Sequence, residues 1–182
     1  LIETILQIHK EDDSSGIKSI LELGTGSGII AIILALEMPE SKIFSLDYSY
    51  AALQVARDNI RRHRLNSRIN LLNSNWFTAL KPAKEFDIIV SNPPYLKTVD
   101  YDSLAPDVKD YEPHLALFSG SDGMDSIKEI ARKADSFLKP GGWVILEINE
   151  QNKEEVLVLF TELGRFDKIN VSSDLANLPR IF

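Results

Sequence analysis

The chain has 182 residues, 44% of them hydrophobic, and a formal net charge of −7 at neutral pH. That is enough apolar material for one domain with a sizeable core, and too acidic a balance for a stand-alone binder of a phosphate backbone. Cysteine is absent and His9, His63 and His114 show no ligand spacing, so disulfides and thiolate metal sites are excluded and no metal is expected.

Leu1 to Lys10 carries apolar residues at Leu1, Ile2, Ile5, Leu6 and Ile8 and predicts an amphipathic helix, with Glu11 to Gly16 a polar linker. Ser19 to Leu23 is the first predicted strand and runs into a glycine-rich turn. Ile29 to Met38 predicts a helix, apolar on most faces and stopped by Pro39. The run Ile29 to Leu36 within it is far too short to span a bilayer, and no signal-peptide pattern is seen, so no membrane partner is expected and a cytoplasmic location fits. Lys42 to Leu46 is a second strand ending at Asp47. Ser49 is placed to cap the next helix, whose inner face is expected to carry Ala51, Ala52, Val55, Ala56 and Ile60. The basic stretch Arg57 to Arg68, with Arg61, Arg62, His63 and Arg64, reads as a solvated helix end.

Ile69 to Leu72 and Phe86 to Ser91 are the third and fourth strands. Leu96 to Ser121, long and with several prolines, reads as a functional loop. Asp122 to Leu138 predicts a helix broken by Pro140-Gly141-Gly142, and Trp143 to Ile148 a fifth strand. Lys153 to Leu163 is a helix ended by Gly164, and Phe166 to Val171 and Arg180 to Phe182 are candidate final strands. Strands alternating with helices imply crossover connections, hence an α/β fold: a mostly parallel twisted sheet with helices on both faces.

Asn92-Pro93-Pro94-Tyr95 is the most informative segment. It follows a buried-strand pattern directly, and two prolines cannot extend that strand because they lack N–H donors and fix φ. The outcome is a stiff elbow at a strand's carboxyl end, where open α/β sheets bind ligands. Asn92 can donate to and accept from a planar nitrogen-bearing group, and Tyr95 can stack on one. Alone, the tetrapeptide is equally readable as a proline-rich turn that ends a strand.

Glu22-Leu23-Gly24-Thr25-Gly26-Ser27-Gly28 lies between the first strand and its helix. The dinucleotide fingerprint would need glycine at position 29, which is Ile29; the third glycine falls one place early. A preceding acid and this spacing are the pattern of Rossmann-like S-adenosylmethionine-dependent methyltransferases, against a plain structural turn. Asp47 is placed to accept from both ribose hydroxyls, or to serve as an acid at a helix N-terminus. Asn75-Trp76-Phe77 follows the third strand on the same edge: Asn75 could read an adenine rim with Trp76 on its face, or Trp76 could be plain core.

These segments, with Tyr111-Glu112-Pro113, Leu115-Ala116-Leu117-Phe118, Asp122-Gly123, Leu138-Lys139-Pro140-Gly141-Gly142 and Leu146-Glu147-Ile148, resemble the HemK-type protein-glutamine methyltransferases over almost the whole chain. That resemblance implies methylation of the side-chain amide of the glutamine in the Gly-Gly-Gln motif of peptide-chain release factors. It implies S-adenosylmethionine contacts from Glu22, Gly24, Thr25, Gly26, Ser27, Gly28, Asp47, Asn75, Trp76 and Asn92, and a substrate clamp formed by Asn92, Pro93, Pro94 and Tyr95. It also implies a single catalytic domain over 1–182, with Leu1 to Gly16 the helix and linker after a small helical domain. Departures from the family pattern fall at Asn75, where relatives carry an acid, and at Asn149 and Asn177, where glycine is common. Asparagine tolerates a left-handed backbone, so both turns are expected to survive. Glu112 is a candidate anchor behind the clamp, or a surface acid.

The chemistry follows from an amide's poor nucleophilicity. Asn92 and the Pro93 carbonyl are expected to accept the two N–H groups of the amide while Tyr95 stacks on it, with no general base. The strand before the elbow should lie beside the one before the glycine turn. The nearest rival is methylation of an exocyclic amine of adenine or guanine in nucleic acid, which would call for a basic channel or a target-recognition domain that this acidic chain does not show. A non-catalytic module that kept the fold is the other alternative, and the intact glycines, Asp47 and elbow argue against it.

Overall fold

The computed structural model describes residues 1–11, 18–103, 113–173 and 178–182. The expected linker at 12–16, Tyr111, Glu112 and Asn177 lie outside the described residues. The chain divides into two compact units, Leu1–Ser91 with Lys133–Leu146 and Asn92–Arg132 with Glu147–Phe182.

The first unit holds helices α1 (Ile2–Glu11), α2 (Ile29–Glu37) and α3 (Tyr50–Arg62), and strands β1 (Ser19–Leu23), β2 (Lys42–Asp47), β3 (Ile69–Asn73), β4 (Phe86–Ser91) and β5 (Leu138–Leu146). The sheet runs β3-β2-β1-β4-β5 with every neighbouring pair parallel. Strands buried on both faces should be nearly all apolar, and the middle of the sheet is, with Glu22 the exception in β1: Ile20, Leu21, Leu23, Ile89 and Val90 are fully buried. Register fixes the functional edge. Leu23 pairs with Leu46 and with Ser91, so β1, β2 and β4 end level, and Asp47 pairs with Asn73 one step further. The expected neighbour relation between the fourth strand and the first is thereby met.

Helix α2 buries Ala31, Ile32, Leu34 and Ala35, and its C-terminal carbonyls are closed by a side chain from outside. The Arg68 guanidinium donates to the carbonyls of Ala35 and Met38 and to Ser41. Of the basic stretch, then, Arg57, Arg61, Arg62, His63 and Arg64 are exposed as expected, while Arg68 caps a neighbouring helix. Ser49 caps α3 as expected, its hydroxyl accepting from Ala52 N–H at 3.2 Å. The buried face of α3 is Leu53, Ala56 and Ile60, not the face centred on Val55, which is 51% exposed. Leu53 belongs to the same 3.6-residue stripe as Ala56 and Ile60, whereas Val55 lies off it.

β5 begins five residues before the expected start, at Leu138. Phe86 pairs with Leu138 and Ile88 with Trp143, so Lys139 to Gly142 bulge out of the ladder. β5 is an edge strand, which tolerates a proline, and a Cβ on Gly142 would sit 2.9 Å from the Asp87 carbonyl. The proline-glycine run therefore kinks a strand rather than separating a helix from one.

The second unit holds a 3-10 turn at Thr98–Ser103, helices α4 (His114–Leu117), α5 (Asp125–Lys133) and α6 (Lys153–Leu163), and the two-stranded pair β6 (Ser172–Ser173) and β7 (Pro179–Ile181). The helix expected from Asp122 starts at Asp125, because Gly123 turns with φ +76° and the Asp122 carboxylate accepts from Met124 N–H. Phe166 to Val171 is not a strand: Phe166 packs on Phe160, its ring 5.1 Å away, and the ladder forms only at Ser172. Asn149 departs from expectation too. Its backbone is extended (φ −81°, ψ 141°), and its side chain accepts from Gln151 N–H, so this turn needs no left-handed residue.

Candidate active site

The glycine turn leaves β1 at Leu23. The amides of Gly24 and Thr25 both donate to the Leu46 carbonyl, tying the turn to the end of β2. Gly26 has φ +54° and open space where a Cβ would stand, as does Gly24, so a ligand can approach the bare backbone there. Gly28 differs: with φ +83°, a Cβ would stand 3.2 Å from that of Ala56. That glycine lets α3 approach α2.

Two carboxylates brace the turn. Asp47 accepts from Gly26 N–H through Oδ2 and from Ser49 N–H through Oδ1, both at 2.8 Å. The helix N-terminal role is thus met by the Ser49 contact, and since a carboxylate has about four acceptor sites, two are left over. Glu22 is wholly buried, its Oε2 accepting from the hydroxyls of Thr25 (2.6 Å) and Ser45 (2.7 Å) while Oε1 has no hydrogen-bond partner. Burial drives its pKa from 4.5 up to about 7; the Thr25 and Ser45 hydroxyls and the nearby Ala31 amide oppose the rise, and the Asp47 charge adds to it. The acceptor sites left on Asp47 and the bare backbone at Gly24 and Gly26 are what a ligand carrying hydroxyls would meet. The donor and acceptor set therefore fits S-adenosylmethionine.

The third strand end is built by residues not singled out from the sequence. Asn73 donates to the carbonyls of Asp47 (2.8 Å) and Tyr48 (2.9 Å). Ser74 N–H donates to the Asp47 carbonyl, and the Ser74 hydroxyl donates to that of Trp76 at 2.7 Å. The signal available for both was only that Asn and Ser favour such local turns. They hold Trp76, half-buried, at φ +49°, a left-handed position that costs a bulky residue about 1–2 kcal/mol. Asn75 is exposed beside it. Phe77 is core, stacked on Phe137 with centroids 4.6 Å apart.

β4 ends at Ser91, whose hydroxyl donates to the Leu23 carbonyl at 2.7 Å, and the chain passes straight into Asn92. In the second unit the Asn92 side chain is exposed, Pro93 buried, and Pro94 and Tyr95 half-buried. Burial, and after it the Glu147 charge, raises the Tyr95 phenol above its ordinary pKa, with Arg180 opposing, so Tyr95 is neutral at physiological pH. The next residue is pinned on both sides: Leu96 N–H donates to the Leu117 carbonyl and the Leu96 carbonyl accepts from Ser119 N–H, both at 2.9 Å. The Leu115 to Phe118 and Asp122-Gly123 motifs thus flank the elbow.

The comparisons with known proteins agree with this geometry. The methyltransferase small domain family matches residues 4–106, more than half of the chain. A release factor glutamine methyltransferase of Koribacter versatilis is 38% identical over 181 residues, covering 100% of this chain and 62% of that protein. A bifunctional methyltransferase of Rickettsia typhi is 42% identical over 163 residues, covering 90% of this chain and 31% of that one. The chain thus spans less than two thirds of the length of these relatives. Among solved structures, a methyltransferase from Pyrococcus furiosus superposes with a TM-score of 0.67 at 20% identity, covering 99% of this chain and 80% of that one. The fold is the Rossmann-like fold of S-adenosylmethionine-dependent methyltransferases, as the order of elements implied. The chain belongs to the methyltransferase small domain family.

Proposed function

We propose that this chain methylates the side-chain amide nitrogen of the glutamine in the Gly-Gly-Gln motif of peptide-chain release factors, using S-adenosylmethionine, in the cytoplasm. The observation that carries the reading is that β4, the sheet neighbour of β1, runs directly into Asn92-Pro93-Pro94-Tyr95, while β1 itself runs into a braced, open glycine turn. Relatives named for that reaction support the choice of substrate.

The cofactor would be held by Gly24 to Gly28, Glu22, Asp47, Asn75, Trp76 and Asn92, and its sulfonium supplies the reactive methyl. Asp47 would accept the ribose hydroxyls with the acceptor sites left over from Gly26 and Ser49. What remains for the chain is to align an amide nitrogen whose lone pair is delocalised into its carbonyl. Asn92 Oδ1 accepts one N–H of that amide and the Pro93 carbonyl the other, which favours positive charge building on nitrogen in the transition state. Tyr95, neutral and half-buried, packs its ring against the amide plane. The methylated nitrogen becomes acidic enough to release its proton to water, so no side chain acts as base.

The test is transfer of label from S-adenosylmethionine to a purified release factor, with bulk RNA and DNA as parallel acceptors. Label on the release factor alone supports the reading. Label on nucleic acid, or on neither acceptor, overturns it.

A further inference from the structure

Asn152 occupies the N-cap position of α6, where an asparagine side chain ordinarily accepts from an amide of the first turn. Here it makes no such bond. Its side chain is 2% exposed, and its Nδ2 is directed at two backbone carbonyls, Tyr95 at 3.5 Å and Gly123 at 3.5 Å. A buried carboxamide that forgoes its local cap in favour of two distant carbonyls is acting as a donor to them.

Gly123 makes the approach possible. With φ +76°, its missing Cβ would stand 2.4 Å from the Tyr95 carbonyl oxygen and 3.2 Å from Asn152 Nδ2. The Tyr95 carbonyl therefore fills the space a side chain at 123 would take. Since Leu96 N–H is held by the Leu117 carbonyl, the Tyr95–Leu96 peptide plane is fixed at its amide end by Leu117 and at its carbonyl end by Asn152. A fixed plane sets the direction in which Cα–Cβ of Tyr95 leaves the chain, and two prolines stiffen the residues before it.

We propose that Asn152 is a positioning residue for the amide-binding elbow: it donates to the Tyr95 carbonyl across the space left by Gly123, and so sets the Tyr95 ring and the Pro93 carbonyl for the substrate amide. This rests on the reading of the elbow as the amide site. Asn152 touches neither substrate nor cofactor in this scheme. Its loss acts on turnover, because small misplacements of aligning groups cost about a hundredfold in rate.

Asn152→Asp is nearly isosteric and replaces the donor with an acceptor facing two carbonyls. Asn152→Gln keeps the donor, and the extra methylene has slack to use because both contacts are long. The measurements are kcat and KM on a release factor, with the S-adenosylmethionine dissociation constant by calorimetry on the same preparations. Asn152→Asp should lose about tenfold or more in kcat with the cofactor constant unchanged, and Asn152→Gln should recover most of that loss. Equal turnover in the two variants, high or low, overturns the donor role. So does a loss of cofactor affinity in both, which would mark general unfolding. A wild-type chain that labels no release factor would instead sink the functional reading on which the inference rests, so the two failures are distinct.

Discussion

The glycine turn and the elbow are held by different kinds of bond. Around the turn, carboxyl groups do the holding: Asp47 takes two backbone amides at 2.8 Å and Glu22, partly protonated, takes two hydroxyls at 2.6 and 2.7 Å. Around the elbow, neutral backbone groups do it, through Leu96 with Leu117 and Ser119 and through the long contacts of Asn152. Hydrogen bonds to ions are about twice as strong as neutral ones. A turn for a polar, charged cofactor gains from stiff ionic bracing. The elbow is held by neutral backbone groups, and the Glu147 and Arg180 charges that act on Tyr95 oppose one another.

The largest effect expected from this contrast is at the elbow tip. Asn92→Ala should lower turnover by about 10²-fold or more, the scale of one lost transition-state partner, while cofactor affinity measured by calorimetry falls far less, since the other contacts remain. Near-normal methylation by that variant would remove Asn92 from the amide site.

The second effect belongs to Glu22. Its carboxyl titrates at about 7 when folded, against an ordinary value of 4.5, so folding favours the protonated form. Stability is then fullest below about pH 4.5, falls as pH rises to about 7, and is level above that, a loss of about 3 kcal/mol. Urea unfolding across that range should show the slope in wild type and lack it in Glu22→Gln. A wild-type profile that rises over the same window would contradict the buried, orphaned carboxylate.

Asp47→Ala should weaken cofactor binding about tenfold or more, and also lower stability, because Gly26 and Ser49 lose their acceptor. An unchanged dissociation constant would take Asp47 out of the ribose site. The smallest effects separate the glycines. Gly28→Ala should cost about 1–2 kcal/mol of stability from strain and the Ala56 contact, read by thermal unfolding. Gly26→Ala carries similar backbone strain at φ +54° but meets no neighbour, so it should differ from Gly28→Ala chiefly by weakening cofactor affinity. The reverse ranking would exchange their roles.

How legible each region was follows from the same contrast. Motifs that bond locally could be read directly: the glycines beside Asp47, Ser49 as the cap of α3, and the elbow that stops β4. Features settled by distant partners could not. Nothing in the sequence marks the space at Gly123 as filled by the Tyr95 carbonyl, or Asn152 as the donor directed at that carbonyl. Arg68 looked like one more solvated cation, yet it closes the end of α2. Pro140 to Gly142 carried a breaker signal that an edge strand absorbs as a bulge. Asn73 and Ser74, which hold Trp76 in place, have side chains too common for any spacing rule to single out.

The central claim is that the elbow presents a glutamine amide for methylation. It is tested most directly by incubating the chain with a release factor and S-adenosylmethionine and mapping the modified residue by mass spectrometry. The account predicts one added methyl on the side-chain amide of the Gly-Gly-Gln glutamine, and none when Asn92→Ala replaces the wild-type chain for the same interval. A methyl on any other residue, or an equal yield from Asn92→Ala, would contradict it.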